Sequence, residues 1–185
     1  MKKRIIIIGK AASGKDFLQK QLITNGFKAL KQYTTRPKRP NEVGDEYHFV
    51  TKEEFDSISH KLKSIQNFVG WYYGYDIDEA LDADVMIFSP ANYFNMMTSS
   101  DEGLRNLEQS SHVVYLDIDE DTRRERLSVR YVGGKEDDSL ERRIRADEKD
   151  FEFFDSIDWG NNRYGIVRLC NNDEVDDFLR KIYHK

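Results

Sequence analysis

The feature that most constrains this chain is the run Ile5-Ile6-Ile7-Ile8-Gly9-Lys10-Ala11-Ala12-Ser13-Gly14-Lys15-Asp16 near its start. Four consecutive isoleucines between Arg4 and Gly9 read as a short strand apolar on both faces, the pattern of a strand inside a parallel sheet. Gly9 and Gly14-Lys15 then satisfy the spacing G-x-x-x-x-G-K. In such a loop consecutive backbone N–H groups cradle phosphate and a lysine reaches the outer phosphates. Behind it Phe17, Leu18 and Leu22 share a helical face, and Asn25-Gly26 suits a helix end. Strand, turn and helix supply the context the motif requires, against the plainer reading of a glycine-rich turn that serves packing alone. One position departs: Asp16 stands where a Ser or Thr hydroxyl would ligate magnesium. Asp16 can itself ligate Mg2+, directly or through water, because a carboxylate beside phosphates needs a cation between them. It can equally be an acidic residue in a first helical turn, favoured by the helix dipole by about 0.3–1 kcal/mol.

Composition narrows the partners. The 185 residues, with 38% hydrophobic and 34% charged content and a net charge of −5, suit one soluble domain with a full core. The acidic balance argues against a nucleic-acid polymer or a membrane surface as partner. No apolar run approaches the roughly 20 residues of a membrane span, and the apolar run after Lys2-Lys3-Arg4 stops too early for a signal peptide. A single cysteine, Cys170, fits a cytoplasmic protein and reads as a small buried residue near a strand end. His48, His60, His112 and His184 lack metal-ligand spacing and read as structural or surface residues.

Further along, Phe27 to Tyr33 alternates as a second strand. A loop rich in proline and charge then leads to a short strand, Tyr47 to Val50, and Thr51-Lys52-Glu53-Glu54 is a capping box for a helix to about Ile58. Phe68 and Trp71 to Tyr75 read as strand and turn. Ala83 to Phe88, His112 to Ile118 and Gly165 to Cys170 are further strands. Helices are expected over Glu102–Gln109, Glu120–Tyr131, Asp138–Phe154 and Asp173–Tyr183. This alternation predicts an α/β fold of three layers, with a central parallel sheet of about five strands. The stretch 34–80 interrupts it as an inserted subdomain.

Thr34-Thr35-Arg36-Pro37-Lys38-Arg39, Glu42, Tyr47-His48-Phe49-Val50 and the capped Glu53-Glu54-Phe55 helix resemble the guanylate kinase signature. Gly70-Trp71-Tyr72-Tyr73-Gly74 is similar to that family's Gly-Asn-x-Tyr-Gly turn. Arg126-Leu127, Arg130, Glu136 and Arg142-Arg143 resemble its lid and following helix, and Asn171-Asn172-Asp173 the segment flanking the ATP adenine. The resemblance, to a divergent guanylate-kinase-like nucleoside monophosphate kinase with a P-loop kinase fold, spans most of the chain. Aspartate after the loop lysine also resembles phosphomevalonate kinase and some phage deoxynucleotide kinases. The resemblance implies one kinase domain over 1–185, with 34–80 binding the acceptor monophosphate and 131–140 forming a short lid. It further implies a nucleotide-binding cytoplasmic enzyme, monomeric or homodimeric, that uses ATP with Mg2+.

In-line phosphoryl transfer needs the acceptor phosphate aligned with the donor and the spreading charge neutralised. The resemblance places ATP on Gly9, Lys10, Ala11, Ala12, Ser13, Gly14, Lys15, Asp16, Arg126 and Asn171, with Asp16 as metal ligand. It places the acceptor phosphate on Arg36, Arg39, Tyr47 and Tyr73, and catalysis on Lys15, Arg39, Arg130 and Arg143. Guanidinium forks and phenol hydroxyls suit phosphate oxygens. Each lid arginine can equally belong to a solvated face interleaved with Glu125, Asp137, Asp138 and Glu141, and Trp71, Tyr72 and Tyr75 can pack a core or stack on a base. The loop between Glu42 and Tyr47 is one residue shorter than the family pattern. Ser64 stands where the family's guanine-reading glutamate aligns, Tyr75 where it has a small hydroxyl residue and Gln32 where it has a serine. Ser89-Pro90-Ala91-Asn92 replaces its Asp-x-Asp. The phosphate-handling residues remain and the base-reading ones change, so the acceptor need not be GMP. Two alternatives accompany the kinase: a non-catalytic guanylate-kinase-like binding module, and a kinase of another small phosphorylated metabolite.

Overall fold

The computed structural model describes residues 4–38, 47–68, 70–131, 140–161 and 164–183, and side chains at these positions except 129–131, 140, 142 and 143. In chain order its elements are β1 (Arg4–Gly9), α1 (Lys15–Thr24), β2 (Gln32–Thr34), β3 (Tyr47–Phe49), α2 (Lys52–Ile58), β4 (Leu62–Phe68), β5 (Trp71–Asp76) and α3 (Ile77–Asp82). There follow β6 (Val85–Ile87), α4 (Pro90–Thr98), α5 (Glu102–Gln109), β7 (Ser111–Leu116), α6 (Glu120–Tyr131), α7 (Leu140–Asp155), β8 (Val167–Leu169) and α8 (Asn172–Tyr183). The expected lid, 131–140, lies almost wholly outside the described residues.

The four isoleucines sit at the centre of a parallel sheet ordered β6-β1-β7-β8. Because side chains alternate across a strand, Ile6 and Ile8 join a core with Ala80, Tyr93, Leu104, Phe151 and Phe154 on one face. Ile5 and Ile7 join Leu18, Leu22, Val175 and Leu179 on the other. This makes three layers, with α1 and α8 on one side and α3, α4, α5 and α7 on the opposite side. Helix termini are built where the sequence supplies caps. Thr51 and Glu54 form the expected capping box, and Asp76, Ser89 and Asp101 each accept from backbone N–H groups of the helix that follows.

Where a fifth strand was expected over Phe27–Tyr33, the chain makes one bridge, Ala29 to Val85, and leaves. Its continuation, β2, belongs to a second sheet ordered β3-β2-β5-β4. The Gln32 side chain explains the break: its Nε2 donates to the Ile87 carbonyl at 2.8 Å, closing the edge of β6 with an amide where a backbone N–H would otherwise serve. In the second sheet β2 and β3 are parallel and the other pairs antiparallel. A bulge between Lys63 and Gln66 holds Ser64 at φ 50°.

Candidate active site

The loop after β1 folds over its own start. A Cβ at Gly9 would lie 2.5 Å from Ser13 Oγ and 3.0 Å from the Leu116 carbonyl, so only glycine admits this approach. Ala12 and Gly14 take positive φ, 58° and 97°, turning successive peptides into the concave form that suits anions. Lys15 Nζ donates to the carbonyls of Gly9 at 2.6 Å and Lys10 at 2.9 Å, which spans the loop. A cavity of about 540 Å³ opens beside it, lined among others by Gly14, Lys15, Asp16, Arg126, Asn172 and Asp176. Arg126 closes one side, donating to the Ala12 carbonyl at 3.1 Å and to Asn172 Oδ1 at 3.3 Å. Gly14, Lys15, Asp16 and Arg126 thus come together as the sequence reading requires. Asn171 differs: its side chain caps α8, accepting from Glu174 N at 2.9 Å, and the neighbouring Asn172 is the one that lines the cavity.

Two anchors fasten the loop to α7, and sequence reasoning passed over both. Ala11 N–H donates to Asp147 Oδ2 at 2.7 Å, and the same oxygen receives Arg123 Nη1 at 3.3 Å. Asp147 and Arg123 are buried, at 4% and 3% exposure. Lys10 Nζ donates to Asp155 at 2.7 Å, and Asp155 also accepts from the Tyr115 hydroxyl at 3.3 Å. Burial first, and then the nearby Asp117 and Asp155 carboxylates, push the Tyr115 phenol well above its ordinary range. The available signal was weak: on helices as charged as α6 and α7, nothing in the pattern separates an inward Arg or Asp from its solvated neighbours.

The second sheet gathers another set. Arg36 is buried beneath β3, its guanidinium 5.4 Å from the ring centres of both Tyr47 and Phe49. Its backbone N–H donates to Thr34 Oγ1 at 3.1 Å and its Nη1 to the Pro37 carbonyl at 2.8 Å. Tyr47 and Tyr73 meet edge-on at 6.2 Å. Thr35 Oγ1 accepts from Tyr72 N–H at 2.9 Å, tying the Thr-Thr-Arg turn to β5. Arg36, Tyr47 and Tyr73 are therefore neighbours, while Arg39 and the side chains of Arg130 and Arg143 lie outside the described residues. Tyr75 packs in the core, stacked on Phe88 at 5.0 Å, and Tyr72 lies 5.8 Å from Phe55. Trp71 stays exposed. Cys170 is half-buried, where the sequence suggested burial, because it follows the last residue of β8. Partial burial raises its thiol pKa.

Phosphate-shaped loop, flanking cation and three-layer parallel sheet define the P-loop class of α/β proteins. The family model for guanylate kinase matches residues 1–182, and the chain belongs to the guanylate kinase family. It is 46% identical over 55 residues to the guanylate kinase of Symbiobacterium thermophilum, a match covering 28% of this chain and 26% of that one. The guanylate kinase of Schizosaccharomyces pombe is 32% identical over 123 residues, 63% of this chain and 49% of that one. A third relative, MAGUK p55 subfamily member 4 of Rattus norvegicus, is 30% identical over 83 residues, 42% of this chain and 19% of its own length. The chain thus spans from about a fifth to about half the length of these relatives. The crystal structure of guanylate kinase from Anaplasma phagocytophilum shares the fold, with a TM-score of 0.63 at 16% identity over 99% of this chain and 84% of that one.

Proposed function

We propose that this protein transfers the terminal phosphoryl group of ATP to a nucleoside monophosphate, GMP, dGMP or another ribo- or deoxynucleotide, to give the diphosphate. The observation that carries the reading is the conjunction at the 540 Å³ cavity: a phosphate loop, its lysine and the Arg126 guanidinium converge on one space. Lys15 serves the outer phosphates of the donor, and loop N–H groups from Gly9 to Asp16 hold the others. Arg126 with Arg130 and Arg143, flanking the 131–140 lid, neutralises charge on the transferred group. Asn171 and Asn172 flank the adenine. Arg36, Arg39, Tyr47 and Tyr73, in the 34–80 insertion, bind the acceptor phosphate, whose oxygen attacks the donor in line without any protein nucleophile.

Asp16 suits a magnesium ion that stays largely on the nucleotide. It is exposed in the first turn of α1 at the cavity mouth, and among the described residues no three His, Cys, Asp or Glu side chains gather into a protein cage. One carboxylate plus phosphate oxygens and water is the ordinary ligand set for this ion, which when bound offsets charge on the donor phosphates.

Incubation with ATP and Mg2+ and a panel of ribo- and deoxynucleoside monophosphates, with ADP release as readout, tests the proposal. Release of ADP that depends on one or more of the monophosphates is the expected result. No ADP with any nucleotide, together with tight binding of one, would show the non-catalytic binding module instead. Turnover confined to a non-nucleotide phosphorylated metabolite would move the acceptor out of the nucleotide class. An intact Lys15 at the loop argues for the catalytic reading. A cytoplasmic setting and a monomeric or homodimeric state accompany the proposal. Among the described residues no helix is long and apolar enough to cross a membrane.

A further inference from the structure

Tyr47, Phe49 and Tyr73 share the face of the second sheet that meets Arg36. Side chains alternate along a strand, so Tyr33 of β2 and His48 of β3, a directly paired couple, lie on the reverse face. Their ring centres are 4.4 Å apart, with planes inclined by 30°. Both place a polar atom on one carboxylate of α3. The Tyr33 hydroxyl donates to Glu79 Oε1 at 2.9 Å, and His48 Nε2 lies 3.3 Å from Glu79 Oε2. Burial first, and then the bond to Glu79, pushes the Tyr33 phenol up to about 12, so it stays a donor across the neutral pH range. Helix α3 is itself fixed to the body of the molecule. Ala80, next to Glu79, is fully buried in the core against the parallel sheet, and Ile77 and Leu81 pack against that core.

The two strands depend on Glu79 unequally. Strand β2 has a second tie to the parallel sheet, the Gln32 amide on the Ile87 carbonyl. Strand β3 is a three-residue edge strand that, among the described residues, pairs only with β2, and its tie to α3 is the His48 contact. His48 stands between Tyr47 and Phe49, the two rings beside the Arg36 guanidinium, so whatever fixes His48 fixes both. We infer that Glu79 is a positioning residue for the acceptor monophosphate: through His48 it sets the edge strand that carries Tyr47 against Arg36 and Tyr73. The inference rests on the monophosphate kinase reading above. Glu79 lies on the far side of the sheet from Tyr47, and its negative charge repels a phosphate bound there. By charge alone its removal would tighten acceptor binding, whereas loss of positioning weakens it, and that difference in sign separates the two effects.

The test uses whichever of GMP, dGMP, UMP and dTMP the wild type binds most tightly. It measures that nucleotide's dissociation constant by calorimetry, and kcat and both KM values with ATP and Mg2+. Glu79→Ala, and His48→Phe, which keeps a ring against Tyr33, should raise the acceptor KM and dissociation constant at least fivefold while KM for ATP stays within twofold. Tyr33→Phe, on a strand that Gln32 also holds, should have a smaller effect than His48→Phe. Glu79→Gln, which keeps an acceptor for the Tyr33 hydroxyl and an amide facing His48, should recover most of the loss. The His48 and Glu79 side chains are 39% and 41% exposed, so no variant should lower the melting midpoint by more than about 4 °C. An acceptor constant raised less than fivefold in Glu79→Ala, or a parallel rise in both KM values, overturns the inference. So does a Glu79→Gln variant no better than Glu79→Ala, a Tyr33→Phe effect as large as that of His48→Phe, or a larger fall in the midpoint. The two readings fail separately. A wild type that binds monophosphate without releasing ADP ends the kinase reading, and the dissociation constants still decide the positioning role. Turnover indifferent to Glu79 ends the positioning role alone, and neither binding nor turnover removes both.

Discussion

Replacing Asp147 by alanine should loosen the phosphate loop from outside it. The Asp147 carboxylate is 6% exposed, its partner Arg123 3%, and one oxygen serves both Arg123 and the Ala11 N–H. Removing it leaves a buried guanidinium whose Nε has no hydrogen-bond partner and whose Nη1 keeps only a 3.5 Å contact with the Ala11 carbonyl. Breaking a buried pair from one side costs about 3–5 kcal/mol. At about 2–4 °C per kcal/mol for a domain of this size, the midpoint should drop by roughly 10 °C in a thermal melt followed by circular dichroism. Replacing both residues by leucine removes the stranded charge. That variant gives up the partner of Ala11 N–H, at about 1–3 kcal/mol, and the long Arg123 contact on the Ala11 carbonyl, against a gain in apolar packing. The double variant should therefore melt close to wild type, well above either single variant. If Asp147→Ala lies within about 1 kcal/mol of wild type, or if the two single changes simply add, the claim that this pair anchors the loop is wrong.

The other predictions concern the chemistry and its pH range. Lys15→Ala should abolish ADP release with any acceptor while leaving the circular dichroism spectrum unchanged; residual turnover near wild type would remove the lysine from its role. Arg39→Ala should raise the acceptor KM and lower kcat together, and an unaltered kcat/KM would end its assignment. Asp16→Ser should retain more activity than Asp16→Ala across a magnesium titration, because a hydroxyl can still ligate; equal activity of the two would favour the helix-dipole account. Lys63 above all, with the Leu104 N–H, holds the Asp101 carboxyl below the ordinary aspartate range. Its stabilising effect is thus complete above the ordinary aspartate pKa and is lost as pH falls through the lowered value. Asp101→Asn should make the acid end of a pH–stability curve shallower, and an identical acid limb would show that the pair contributes nothing there.

The strand–loop–helix at the start was legible because every local signal agreed: isoleucines on both faces, glycines at the turn, and an apolar face at helical spacing. The capping box at Thr51 was equally plain. The α4 helix was missed although Ser89-Pro90 carries the cap and first-turn proline of a helix start. The short α3 was missed because six residues leave no period to read. Phe27 to Tyr33 alternates like one strand, yet its halves serve different sheets, since alternation says nothing of which partner a strand takes. Within the site, Gly14, Lys15, Asp16 and Arg126, which the motif spacings single out, line one cavity, while Arg123, Asp147 and Asp155 escaped notice. Their contribution depends on which side of a charged helix faces inward, a tertiary fact.

The position of Lys15 bears on the timing of a catalytic cycle. Its ammonium rests on two carbonyls of its own loop, so the cost of stripping water from the charge is met at folding, before any nucleotide arrives. On the proposed kinase reading, an incoming donor phosphate would exchange partners with those carbonyls and draw no cation out of solvent. On departure the exchange would run backward, the carbonyls competing for the ammonium. The loop would then act as a return spring, tempering the hold on the substrate and hastening release of the product.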